Sequence, residues 1–143
     1  MDVSDKETPR TPSFRWCAIC GASAAALGVG FGAFGAHALR TALSSDMFAA
    51  YESAVRYQMY HAFGMILCAL AGMQGGSRAP RRLQISAVLL GTGIVLFSGS
   101  LYAMSISGVR SFGVLTPFGG AAFVAGWISF AGAYLSRKRQ STS

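Results

Sequence analysis

Apolar residues gather into four runs along the chain. The first extends from Phe14 to Ala36 with Arg15 as its one charge, and the others run from about Val55 to Met73, Gln84 to Met104 and Pro117 to Leu135. A helix rises about 1.5 Å per residue, so about 20 residues cross a hydrocarbon core of ~30 Å. The second run is the least regular, because its purely apolar part reaches only from Ala62 to Met73. Upstream of it, SSDMFAAYESAVRYQMYH keeps a helical period: Met47, Tyr51, Ala54, Gln58, His61, Met65 and Cys68 recur three and four apart. Ser45 offers a cap and Asp46 a first-turn acid that suits the helix dipole. The pattern therefore predicts one long second helix whose first turns lie at headgroup level, where Tyr51, Tyr57 and Tyr60 are at home. The fold class that follows is all-α, an integral membrane four-helix bundle. Its helices cover about 14–37, 46–74, 83–106 and 117–136, between a polar tail at 1–13 and a basic tail at 137–143.

Composition strengthens this reading. Hydrophobic residues make up 52% and charged ones 12%, about half the usual share for a soluble domain. A net charge of +7 raises nucleic acid as a partner, but the basic residues flank the apolar runs as they do beside lipid headgroups, and no reader motif interleaves them with aromatics. The partner they fit is the lipid bilayer. Nine basic residues (Lys6, Arg10, Arg15, Arg78, Arg81, Arg82, Arg137, Lys138, Arg139) fall on one side of a four-span topology and three (Arg40, Arg56, Arg110) on the other. That bias places both termini in the cytoplasm. Ala36-His37-Ala38 has the form of a leader cleavage site, although the run before it is long for a signal core. Three cysteines give no disulfide framework, and the CxxC at Cys17 and Cys20 reads as two small apolar residues in a helix.

Lipid gives helices no hydrophobic reason to associate, so small residues that let backbones approach mark their contacts. Ala24, Gly28, Gly32 and Ala36 form such a ridge on the first helix, Gly91 and Gly99 lie near one stripe of the third, and Ala121 and Ala125 begin one on the fourth. Thr116 is placed to cap the fourth helix, with Pro117 at its first position, leaving free backbone N–H groups at that end.

The topology gathers polar residues at one end of the bundle: His37, Arg40, Arg56, Gln58, His61, Ser98, Ser100, Tyr102 and Arg110. Buried polar groups in a membrane tend to pair and face inward. Three readings follow. The cluster is a hydrogen-bonded clasp, or the histidines carry protons in a transport path, or His37 and His61 together ligate one haem. Two histidines are too few for a closed zinc site, so no metal site is expected. Neither a nucleophile elbow, a phosphate loop nor a metalloprotease motif is present, and no enzyme activity is expected.

Four segments occur in order at helix ends: GAFGAHAL at 32–39, YQMYHAFGMIL at 57–67, FSGSLY at 97–102, and TPFGG at 116–120 followed by GW at 126–127. Together they resemble the family called domain of unknown function 423, related to the small transmembrane protein 256 group. The resemblance spans about residues 16–135 and implies a small four-helix membrane protein, found in bacteria with eukaryotic relatives and with no established activity. It transfers no catalytic residue. The expected role is a non-catalytic accessory or interaction subunit in the bacterial inner membrane, meeting other membrane subunits or copies of itself. The alternative is a homo-oligomeric transporter or channel.

Overall fold

The computed structural model describes residues 13–74 and 80–135. The tails at 1–12 and 136–143, with Lys6, Arg10, Arg137, Lys138 and Arg139, lie outside the described residues, as does Arg78. Four helices run up and down: α1 (Arg15–Leu39), α2 (Ser45–Met73), α3 (Pro80–Ser107) and α4 (Thr116–Leu135). By length and apolar composition α1, α3 and the segment Arg110–Leu135 containing α4 are candidate membrane spans. α2 falls short because Asp46, Glu52, Arg56, Gln58 and His61 dilute it. Asp46, Glu52 and Arg56 stay exposed, whereas Gln58 and His61 turn inward with Tyr51, Ala54, Met65 and Cys68, which is the stripe its helical period marks out.

Two helices change pitch. α1 closes with a π turn over Gly35–Leu39, and α3 is interrupted by another over Ile94–Ser98. α3 ends at Gly108, the one positive-φ residue described (φ 72°), whose N–H donates to the Met104 carbonyl at 2.9 Å. Glycine tolerates this left-handed cap without a Cβ clash. α2 starts after Ser44, one residue before the expected Ser45, with no side-chain cap.

The helices pair as two antiparallel hairpins. In the first, a Cβ on Gly21 would lie 2.9 Å from the Ala62 carbonyl, one on Gly28 2.6 Å from the Met59 sulfur, and one on Gly35 2.5 Å from the Tyr51 ring. Phe14 closes the far end against Gly72. In the second hairpin Gly119 lies against the Phe97 backbone and Gly93 against the Phe123 ring. Leu90 is the joint between hairpins, wedged between Gly64 of α2 and Gly126 of α4.

The contact ridges differ from those expected. Gly28 faces α2 and Gly32 borders Val55, but Ala24 is half-buried and Ala36 is exposed. The seam follows Gly21, Gly28 and Gly35 instead, and on α4 it follows Gly119, Gly126 and Ala133 while Ala121 and Ala125 are exposed. Geometry explains this. At about 100° per residue, four-residue steps drift about 40° each and walk around the helix, whereas seven-residue steps drift only about 20°. Gly91 borders Met65, but Gly99 is exposed with nothing near it; eight residues at about 100° each already set it about 80° from the Gly91 face.

Candidate functional site

The residues expected to form one cluster resolve into separate groups. The central one joins three helices. Tyr51 Oη donates to the Phe31 carbonyl at 2.8 Å, Gln58 Nε2 to the Ala24 carbonyl at 2.8 Å, and Tyr102 Oη to Gln58 Oε1 at 2.9 Å. Thus α2 is tied to the backbone of α1 on one side and to α3 on the other. The Tyr102 ring meets Phe31 edge-on (centroids 4.9 Å) and Tyr51 at a tilt (5.1 Å), sealing these bonds in an aromatic jacket. Gln58 is only 4% exposed, so its amide has exchanged water for protein partners on both ends.

His61, 6% exposed, forms a second group with aromatic residues. Its Nδ1 bonds the Tyr57 carbonyl at 2.6 Å. A carbonyl only accepts, so the proton sits on Nδ1. The ring stacks on Phe123 with centroids 3.3 Å apart and planes within 6°, and Tyr57 stacks in turn on Phe97 at 4.6 Å. His37 does not join it. His37 is exposed in the π turn that closes α1, next to Gly35, which packs on Tyr51. His61 lies ten residues further along α2, about 15 Å at helical rise. Two axial ligands must meet at one iron, so the bis-histidine haem reading is set aside. Among the described residues, no three His, Cys, Asp or Glu side chains are placed to hold a metal ion.

The remaining polar positions scatter. Ser100 Oγ bonds the Phe97 carbonyl and Thr116 Oγ1, both at 2.9 Å. Thr116 is therefore not an N-cap. A 3₁₀ helix over Arg110–Leu115 runs directly into α4, the Thr116 N–H donates to the Gly113 carbonyl, and the Thr116 hydroxyl faces α3 instead. The open N–H end expected there is not formed; Pro117 stands exposed in the first turn. Arg110 is exposed in the 3₁₀ segment, away from Arg40 and Arg56, which border a cleft between α1 and α2. Ser98 Oγ, buried in the π turn of α3, has no hydrogen-bond partner, alone in this among the described buried side chains.

Two connections were not anticipated from sequence. Cys68 Sγ donates to Ser86 Oγ at 3.4 Å, and Ser86 Oγ to the Gly126 carbonyl at 2.9 Å, stringing α2, α3 and α4 together. Ser129 Oγ donates to the Arg82 carbonyl at 2.9 Å. Serine in a helix commonly bonds its own preceding turn, as Ser105 does, so sequence spacing alone does not mark these crossings.

Long apolar helices, glycine-lined seams and polar side chains that bond from helix to helix inside the bundle define a polytopic helical membrane protein. Residues 31–120 match the family model described as Protein of unknown function (DUF423), and the chain belongs to that family. It is 42% identical over 110 residues to a UPF0382 membrane protein of Staphylococcus haemolyticus, covering 77% of this chain and 87% of the relative. The UPF0382 membrane protein YwdK of Bacillus subtilis is 41% identical over 111 residues, covering 77% and 88% respectively. The UPF0382 inner membrane protein YgdD of Escherichia coli is 36% identical over 119 residues, covering 80% and 86%. No solved structure matches it. The chain is thus a bacterial membrane protein of an uncharacterised family, with several candidate spans.

Proposed function

We propose that this protein is a non-catalytic membrane subunit that packs laterally against other membrane helices, with both termini in the cytoplasm. The supporting observation is where its small residues remain uncovered. Ala22, Ala26 and Gly30 form a four-residue ridge on the exposed side of α1, and Ala121 and Ala125 form another on α4. In lipid such ridges serve close helix contact. Meanwhile Gln58, Tyr51 and Tyr102 are engaged within the bundle, and His61 is held in an aromatic stack. This arrangement fits a clasp better than a transport path, which needs titratable groups facing a wet passage.

The test is extraction from native membranes in a mild detergent, followed by native mass analysis. A defined assembly with other chains supports the reading, and Ala26→Phe then dissociates it while leaving the thermal midpoint unchanged. Recovery of the chain alone or only with copies of itself overturns it. Cysteines placed in either tail, probed with an impermeant reagent on intact cells, check the orientation: they stay unlabelled until the membrane is opened.

A further inference from the structure

Where α1 ends and α2 begins, the helices leave a cleft of about 270 Å³. Gly32, Gly35 and Ala36 of α1 line it together with Phe48, Tyr51 and Val55 of α2, which form its apolar walls, with Tyr51 lying over Gly35 and Val55 beside Gly32. At its mouth stand Arg40, Glu52 and Arg56. All three are exposed, and among the described residues none of their charged groups enters an ion pair or hydrogen bond.

Three features narrow what fits. The first is depth. α1 carries no charge from Trp16 until its end near His37 and Arg40, and Phe31 and Phe34 are exposed on the turns beside the cleft. The mouth therefore lies where hydrocarbon gives way to headgroups. The second is size. At about 270 Å³ and open on one side, the cleft suits a headgroup and the first atoms behind it, not a whole lipid. The third is charge. Two guanidinium groups match a phosphate through paired N–H donors, while Glu52 between them in sequence opposes a purely anionic headgroup and accepts from an ammonium.

We propose that the cleft binds a phospholipid with an ammonium-bearing headgroup. Arg40 and Arg56 hold the phosphate, Glu52 takes the ammonium, and the glycerol end rests on Phe48 and Val55. A soluble phosphate compound would leave the apolar walls unused, and an anionic lipid would leave Glu52 unpaired.

The experiment uses delipidated full-length protein exposed to vesicles of equal phosphatidylethanolamine and phosphatidylglycerol, with retained lipid read by native mass spectrometry. The wild type is expected to retain the ethanolamine lipid about fivefold over the glycerol lipid. R40Q/R56Q lowers retention of both about tenfold, and E52Q brings the two lipids to parity, each change being of the order expected for one or two charge pairs. Unchanged retention in R40Q/R56Q overturns the proposal. So does competition by water-soluble glycerophosphoethanolamine at the same concentration as lipid, because the site would then read the free headgroup compound. If R40Q/R56Q proves unstable, E52Q carries the test through selectivity alone, and an unchanged preference in it is the overturning result.

Discussion

The two hairpins solve one problem in two ways. Both close on glycine, because neither can draw helices together by hiding apolar surface from a solvent that is itself apolar. In the α1–α2 hairpin the glycine gaps are filled by long side chains from the partner: Met59 over Gly28 and Tyr51 over Gly35. Two of α2's polar groups then bond the backbone of α1 through Tyr51 and Gln58. In the α3–α4 hairpin, Gly119 meets the backbone of Phe97 directly, and the crossings are made by short serine and threonine hydroxyls. At Gly28 and Gly35 the first seam is plugged and can give a little when a thioether or ring shifts, with Gly21 against the Ala62 carbonyl as its rigid point. At Gly119 the second is backbone on backbone and cannot, although Gly93 there meets the Phe123 ring.

The largest test of that difference is Gly119→Val. Its Cβ has no flexible neighbour to displace, so unfolding is expected to become easier by about 3 kcal/mol or more, read as a collapsed thermal midpoint in detergent. Gly99→Val, on the same hairpin but facing outward, leaves the midpoint where it is. Next comes Gln58→Leu, which removes the bonds to Ala24 and Tyr102 and strands a buried hydroxyl. A loss of about 1–2 kcal/mol is expected, at the upper end for membrane hydrogen bonds. Gly35→Ala follows at about 1 kcal/mol, because the Tyr51 ring can move aside. Made on a Tyr51→Leu background, the same glycine change should cost little, and strict additivity in that cycle would show that the first seam is not plugged as described. The smallest effect is chemical: of the three cysteines, Cys20 is exposed while Cys17 and Cys68 are buried. A membrane-permeant maleimide should label Cys20 alone in the folded protein and all three after denaturation.

Much of this was legible in the residue pattern, and the failures have definite causes. α2's inward stripe could be read because polar and apolar residues alternate there with a helical period, so that burial leaves a contrast. α1 and α4 offer no such contrast. Glycine and alanine occupy every face of them, and a four-residue ridge is as easy to draw through Ala24 and Ala36 as the true seven-residue one through Gly21 and Gly35. Gln58, His61 and Ser100 are buried and Tyr102 is half-buried, yet their separation into distinct groups depends on side-chain reach that spacing does not encode. His37 stands outside the groups its spacing suggests, because nearness to a helix end in sequence says nothing of which way the closing turn points it. Thr116-Pro117 has the form of a helix start, but the preceding Arg110–Leu115 already coils into it, so Thr116 is itself helical and its N–H bonds the Gly113 carbonyl.

α2 is the one helix of the four that is too polar to qualify as a span by its own composition. That has a consequence for biogenesis. Released alone beside a translocation channel, the segment Ser45–Met73 has little reason to leave for the lipid. Tyr51 and Gln58 become acceptable to the bilayer only once Phe31 and Ala24 are beside them. The first hairpin must therefore be assembled before, or while, its second arm is handed over. α1 thus serves as an intramolecular escort for α2 during insertion, before it serves as its neighbour in the finished bundle.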